Sequence, residues 1–354
     1  MAELRRAWDD GDAILPVDQR LPPRQKADLV DRMSASVVVT GSERQRVAGG
    51  RPVEPGDAAV VATSGSTGEP KGVVLTHEAI AASAAATSDR LEVTSEDHWL
   101  ACLPLAHVGG LSVVFRALHA GTALTVHPGF DPAAVQSSGA TLVSLVTAAL
   151  RRIDPNRFRT IVLGGARPPN DRPPNVVTTY GMTETGSGIV YDRRPLDGVD
   201  LRIVVGEIHV RAPMTLRCYR DGVDPKSADG WFGTGDLGEI APDGRLTVFG
   251  RRGDLIISGG ENVWPESVEA VLRRHPGIVD AAVHGVDDEH WGQVVVATLV
   301  PVDATAPPSL DEIRAHVRSS LPAYSAPRVV TYREDLPRTS LGKLRRSALR
   351  APDR

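Results

Sequence analysis

Thr63-Ser-Gly-Ser-Thr-Gly-Glu-Pro-Lys-Gly72 stands between two apolar, strand-like runs, Ala58-Ala-Val-Val-Ala62 and Val73-Val-Leu75. Its three glycines permit turns that other residues resist, so four hydroxyl residues, one lysine and free backbone N–H groups can converge on an anion. The segment therefore reads as a phosphate cradle. It is not the Walker loop: Gly65 to Lys71 does not fit G-x-x-x-x-G-K-[ST], and Gly72 stands where that motif needs a magnesium-binding hydroxyl. A mobile Gly/Ser linker is the plainer alternative. Linkers, however, are seldom framed by β-branched runs or interrupted by Pro-Lys.

Outward from this stretch, 354 residues suffice for a sizeable core and two domains, with 41% apolar residues, 24% charged residues and a net charge of −4. That balance excludes a disordered or fibrous chain and argues against nucleic-acid binding. Cys102 and Cys218 are far apart and alone, which suggests neither a disulfide framework nor a cysteine metal site and fits a reducing cytosol. No apolar run approaches the roughly 20 residues that span a bilayer, and the charged N-terminus lacks a signal core. A cytoplasmic protein without membrane insertion is expected; its oligomeric state stays open, a homo-oligomer included. Of the 40 basic residues only Lys26, Lys71, Lys226 and Lys343 are lysines. An arginine-rich chain keeps lysine where a compact ammonium on a flexible stem must reach one oxygen atom.

Residues 1–56 are polar and proline-punctuated, with a short strand expected at 36–40. From Asp57 onward apolar strand, glycine turn and helix alternate, which predicts an α/β layer fold with ligands at strand ends. Residues 100–104 read as a strand running into Leu105-Ala-His107-Val-Gly-Gly110, 111–118 as a helix, 122–127 as extended and 141–152 as a helix. A strand at 160–163 ends in Gly164-Gly165, and another from Val176 delivers Tyr180, Gly181, Thr183 and Glu184. Gly230-Trp-Phe-Gly-Thr-Gly-Asp236-Leu-Gly238 reads as a glycine-dense turn whose strand-like flanks would hold Asp236 rigidly. After Gly250 the character changes. Ser258-Gly-Gly-Glu-Asn262 precedes a helix opened by Pro265, and strands at 279–286, 293–300 and 328–332 with a helix at 309–321 complete a compact α+β unit. The expected domains are 1–250, with residues 1–56 short and divergent, and 251–354.

Five stretches in order, residues 63–72, 178–186, 230–238, 250–269 and Pro337-Arg-Thr-Ser-Leu-Gly-Lys343-Leu-Arg345, together resemble the adenylate-forming superfamily of acyl-CoA synthetases, adenylation domains and luciferases. The resemblance covers the chain from Asp57 to its end. It implies a large N-terminal α/β domain of layered sheets and helices with a small mobile α+β C-terminal domain. It also implies an enzyme that joins a carboxylic acid to ATP with release of pyrophosphate, then exchanges AMP for the thiol of CoA. On the matching positions, Thr63, Ser64, Gly65, Ser66, Thr67, Gly68 and Lys71 would hold the β- and γ-phosphates. Gly164, Gly165, Tyr180 and Gly181 would line the adenine site, and Asp236 and Arg251 would take the ribose. Thr183 would reach the α-phosphate, while Glu184 and Thr67 would bind Mg²⁺, the one cofactor implied. Lys343 would bridge carboxylate and α-phosphate, and Ser258, Gly259 and Gly260 would line the CoA tunnel.

Within that superfamily, Tyr180-Gly-Met-Thr-Glu-Thr-Gly-Ser-Gly-Ile-Val-Tyr191 followed by Pro195-Leu-Asp-Gly-Val199 is most similar to the o-succinylbenzoate:CoA ligases of menaquinone biosynthesis. The short N-terminal region resembles that of their actinobacterial forms. His107, Arg116 and Gly165 would then form the acid pocket, with Arg116 drawing a second carboxylate. A surface charge is the plainer reading of Arg116, and a helix-start histidine that of His107. Other aryl or medium-chain acids, or loading of a carrier protein, are the alternatives within enzymes; an ATP-binding relic is the alternative outside them. Two departures stand out: Gly253 where the family carries Asp or Lys as its pivot, and few residues before Thr63.

Overall fold

In a computed structural model, which describes residues 2–64, 70–166, 168, 171–338 and 344–349, the two runs flanking the glycine-rich stretch pair with each other. Strands Asp57–Ser64 and Pro70–Thr76 form an antiparallel hairpin that sets Thr63 opposite Lys71, and Cys218–Tyr219 pairs along the other edge of Pro70–Thr76. β-Branched residues suit a pleated, buried surface, and Val60, Val61, Val73 and Val74 are all buried here. A Walker loop joins a strand to a helix, so this strand-to-strand connection sets the stretch apart from that motif. A Cβ on Gly72 would lie 2.5 Å from Met33 Sδ and 2.8 Å from Arg220 Cβ. That glycine serves packing. Gly65, Ser66, Thr67 and Gly68 lie outside the described residues.

The chain folds as two compact units, Met1–Leu201 with His209–Phe232 and Arg202–Ile208 with Gly233–Arg354. The first holds a seven-stranded sheet in the order Arg194–Pro195, Ser187–Tyr191, Val176–Met182, Thr160–Gly164, Leu142–Val146, His98–Ala101, Ala123–Val126. The strands from Val176–Met182 to Ala123–Val126 run parallel, and the other two are antiparallel additions. Parallel strands are covered on both faces and so read as unbroken apolar runs. Residues 141–152, expected as a helix, are therefore the strand Leu142–Val146 followed by one short helical turn, Thr147–Leu150. An apolar run without alternation fits either structure, and burial among Leu100, Ile161 and Leu163 selects the strand.

The N-terminal region is integral to this unit. Helix Ala2–Asp9 carries Trp8, whose Nε1 donates to Ala58 O at 2.9 Å; the ring meets His77 edge-on at 4.9 Å and stacks on Phe115 at 5.7 Å. Leu4, Trp8 and Ile14 close the core under the 57–76 hairpin. Trp8→Ala should lower the unfolding free energy by about 2 kcal/mol, less than for a fully buried tryptophan. Denaturant titration checks this, and an unchanged midpoint would show that the helix is a mere appendage.

In the second unit, strands Phe232–Ile240 and Leu246–Arg251 pair antiparallel, with Asp236 opposite Arg251. The glycines of residues 230–238, expected as a turn, thus belong largely to a strand; Gly238 is required there because a Cβ would lie 2.5 Å from Thr247 O. A five-stranded sheet follows: Glu261–Val263, Ile256–Ser258, Gly292–Pro301 and Ile278–Asp288 in order, with Val329–Tyr332 parallel to Gly292–Pro301. Helices Pro265–Leu272 and Leu310–Arg318 bury Val268, Leu272, Ile313 and Val317 in the same core as Val283 and Leu299. Among the described residues no helix is long and apolar enough to cross a membrane.

Candidate active site

Because four neighbouring strands are parallel, their C-terminal ends lie along one edge of the sheet. There the chain delivers His107 after His98–Ala101, Gly164 and Gly165 after Thr160–Gly164, and Thr183 and Glu184 after Val176–Met182. Gly165 adopts a φ of +84°, which a side chain would resist, and a Cβ on Gly164 would lie 2.9 Å from Thr179 Oγ1. Tyr180 is half-buried and Gly181 exposed, the latter packed so closely on Gly188 that a Cβ would lie 2.6 Å from its Cα. Thr183 and Glu184 sit in a one-turn helix, Thr183–Thr185, stapled by Thr185 Oγ1, which accepts from Met182 N at 3.0 Å.

Tyr219 Oη donates to Glu184 Oε1 at 3.2 Å, and Lys71 Nζ lies 4.9 Å from the centre of the same ring. The hairpin thus brings Thr63 and an exposed Lys71 to the edge that carries Glu184. Among the described residues no group of three or more His, Cys, Asp and Glu could hold a metal alone. One carboxylate beside a phosphate-seeking lysine does fit Mg²⁺ arriving with a nucleotide, since that ion keeps waters and takes one or two carboxylates plus phosphate oxygens.

His107 precedes helix Val108–Ala120. Burial pushes its imidazole below the ordinary histidine range, with Asp18 opposing and Arg20 adding to the effect, so it is neutral at pH 7. Arg20 in turn lowers Asp18 to about 2 through bonds of 2.9 and 2.7 Å. The N-terminal region therefore contributes a charged pair to the surroundings of His107.

Arg116 is not a surface charge; it is 3% exposed. Its guanidinium donates to Ser187 Oγ, to Ser144 Oγ at 3.4 Å and to Tyr191 Oη at 3.4 Å, and it lies 5.5 Å from the centre of the Trp99 ring. No described carboxylate pairs with it, and Nε has no hydrogen-bond partner. Beside it, Leu75, Ile80, Ser83, Ser112, Phe115 and Gly186 line a cavity of about 10 Å³, room for one water. Cys102, by contrast, is an inert core residue whose thiol burial pushes up to about 11.

The second unit holds its own constellation. Asp236 Oδ1 pairs with Arg251 Nε at 2.8 Å, Arg251 Nη1 donates to Thr234 O at 2.8 Å, and Thr234 Oγ1 accepts from Asp236 N at 3.1 Å. Glu207 extends the lattice, accepting from Gly235 N at 2.9 Å and pairing with Arg252 at 3.0 Å. Strand pairing rather than a turn makes Asp236 rigid. Gly253 lies in the turn Arg252–Asp254 with nothing within 4 Å of an added Cβ. Ser258 is buried, and Gly259 and Gly260, with φ of +60° and +85°, form a tight hairpin turn; a Cβ at Gly259 would lie 2.9 Å from the Trp291 ring.

Lys343 lies outside the described residues, but the chain on both sides of it is anchored. Arg338 bridges to Leu344 and pairs with Asp280, Arg345 N donates to Pro337 O at 2.8 Å, and Leu344 packs on Leu336, Ala282 and Leu349. Arg346 reaches Asp254 at 3.1 Å, Glu266 at 3.2 Å and Glu269 at 2.8 Å, tying the tail to the segment after Arg251. Glu266 Oε2 is buried without a hydrogen-bond partner. Burial raises the pKa of Glu266 despite Arg346. A carboxyl with a raised folded pKa contributes stability below its unfolded value of 4.5, and that contribution is lost as pH rises through the folded value. Glu266→Gln should therefore match the native protein in melts at about pH 4 and exceed it at about pH 8. A difference independent of pH would contradict this.

Tyr219, Thr234 and Glu207 contact candidate site residues or their neighbours and Arg346 anchors the tail, and the sequence marks none of the four. Tyr219 sits in a two-residue strand whose partner is over 140 positions away in sequence. No local pattern points to it. Arg346 is visible only as one of several basic tail residues.

The family matches make the chain an adenylate-forming enzyme. The chain belongs to the AMP-binding enzyme family: the AMP-binding enzyme domain matches residues 12–220 and its C-terminal domain residues 267–343. It is 41% identical over 331 residues, 85% of either chain, to the "Probable 2-succinylbenzoate--CoA ligase" of Mycobacterium tuberculosis. Among solved structures it resembles o-succinylbenzoate CoA synthetase (MenE) from Bacillus subtilis in complex with the acyl-adenylate intermediate OSB-AMP, at 30% identity and a TM-score of 0.79, covering 99% of this chain and 81% of that one. The same enzyme with ATP and a magnesium ion aligns at 30% identity and a TM-score of 0.77, over 99% and 81% of the two chains.

Proposed function

We propose that the chain is an o-succinylbenzoate:CoA ligase acting in the cytoplasm through an acyl-adenylate. The acid's carboxylate oxygen attacks the α-phosphorus of ATP, the bond to the β,γ-phosphates breaks, and pyrophosphate leaves. The CoA thiol then attacks the acyl carbon, losing its proton, and AMP leaves. Thr63, Ser64, Gly65, Ser66, Thr67, Gly68 and Lys71 hold the departing phosphates, placing positive charge where negative charge develops. Thr183 meets the α-phosphate. Gly164, Gly165, Tyr180 and Gly181 receive the adenine, and Asp236 with Arg251 the ribose. Glu184 and Thr67 would hold the Mg²⁺ that comes with ATP, which would draw charge from the phosphate oxygens. Lys343 joins carboxylate and α-phosphate during the first step, on a domain, 251–354, that moves between steps and brings Ser258, Gly259 and Gly260 to the pantetheine arm of CoA.

The observation that carries the choice of acid is Arg116. A buried guanidinium without a carboxylate is costly, and the second carboxylate of a dicarboxylic aromatic acid would neutralise it. Ser187, to which Arg116 donates, pairs in register with Met182, the residue before Thr183. This supports a charge one strand step from where Thr183 would meet the α-phosphate. The water-sized cavity must widen for the acid to enter, and His107 and Gly165, which do not line it as it stands, would meet the acid once it does.

Purified protein with ATP and Mg²⁺ should release pyrophosphate with o-succinylbenzoate and form a thioester on addition of CoA. Rapid turnover of benzoate or fatty acids, with none of o-succinylbenzoate, would remove the assignment. Arg116→Leu should raise KM for the dicarboxylate by about tenfold or more while sparing ATP, as expected for loss of a charged hydrogen bond. An equal effect on both substrates would indicate damage to the fold.

A further inference from the structure

The strand Cys218–Tyr219 stands where Lys71 and Glu184 approach each other. Its pairing with Val73 and Val74 fixes Tyr219 beside the segment that carries Lys71. The phenol donates to Glu184 at 3.2 Å while the Lys71 ammonium lies 4.9 Å from the ring centre. The same segment grips Glu184 a second time, through Leu216 N, which donates to Glu184 O at 2.7 Å. Lys226 Nζ closes this segment by donating to Leu216 O and Arg217 O, each at 2.8 Å.

An ammonium and a carboxylate this close would gain from pairing directly, and each would then be neutralised before a phosphate or a metal ion arrived. Lys71 and Glu184 form no ion pair. The ring between them satisfies both: its face attracts the cation, and its hydroxyl takes one carboxylate oxygen and leaves the other available. We propose that Tyr219 is a positioning residue that keeps Lys71 and Glu184 from collapsing into a salt bridge, so that one faces phosphate and the other metal. This rests on the roles given to those two residues above.

The test measures binding rather than turnover. Manganese affinity is read by electron paramagnetic resonance with a non-hydrolysable ATP analogue, and affinity for that analogue without metal by calorimetry. Tyr219→Phe keeps the ring and should lower manganese affinity about tenfold, the worth of one charged hydrogen bond, with metal-free nucleotide affinity unchanged. Tyr219→Leu should weaken both, and adding Glu184→Gln should restore metal-free affinity, because no carboxylate remains for Lys71 to join. Native manganese affinity in Tyr219→Phe, or no recovery in the double variant, would overturn the proposal. Native manganese affinity in Glu184→Gln alone would instead overturn the metal role of Glu184, and the double variant would still decide the spacer role. Tyr219→Phe removes a single oxygen atom, so it also serves if the leucine variant does not fold.

Discussion

Replacing Lys343 with alanine is expected to slow acyl-adenylate formation by about 10²–10³-fold, the loss typical of one preorganised charge-stabilising donor. Thioester formation from synthetic acyl-adenylate should stay near the native rate. The asymmetry follows from where charge sits in each step. In the first, a carboxylate approaches a phosphate, two anions that repel until a cation lies between them. In the second, a thiol meets an activated neutral acyl group. Arginine should not substitute, since its planar fork cannot occupy the point between two oxygens that a compact ammonium reaches. Pyrophosphate release and single-turnover thioester formation measure the two steps separately. Equal loss in both would remove lysine from its assigned role.

Asp236→Ala should weaken ATP binding by about 10²-fold or more, because a carboxylate facing a ribose makes up to two charge-assisted hydrogen bonds, each worth about 1.5–3 kcal/mol. Removing it also strands Arg251, whose Nε pairs with Asp236. A ligand control separates the two effects. If Asp236 reads the ribose, ATP lacking its 2′- and 3′-hydroxyls should bind the native protein as weakly as ATP binds the variant, and the variant should not distinguish the two nucleotides. A variant that still prefers the hydroxylated nucleotide by the full native factor would assign the ribose to other groups.

The contrast between Asp236 and Tyr219 shows what the sequence can and cannot convey. Asp236 lies in a stretch whose glycines announce it, although they read as a turn and lie largely in a strand, where Gly238 is closely packed. Glu184 and the glycines at 164 and 165 follow apolar runs, and a run that stops at glycine marks a strand end in an α/β layer fold. Residues 142–146 read as helix because burial on both faces erases the period that distinguishes strand from helix. Trp8 and Tyr219 are silent for a different reason. Each meets partners far off in sequence, Ala58 for Trp8 and Lys71 and Glu184 for Tyr219, and only the folded sheet brings them together. Arg116 stands out in the sequence but its burial does not, since one charge on an apolar helix does not reveal which way it faces.

The anchoring of the chain around Lys343 bears on how quickly the lysine can act. Arg338 and Leu344 are bridged, and Arg346 is held by three carboxylates, so the ends of the five-residue span that includes Lys343 are fixed when the second unit folds. Bringing together the ends of a short segment costs entropy that a free tail would have to lose anew in every catalytic cycle. Here that loss is met once, at folding. With the role proposed for Lys343, the ammonium would arrive at a high effective concentration, as an intramolecular group does, and its encounter with substrate would follow the movement of a domain and not the search of a loose terminus.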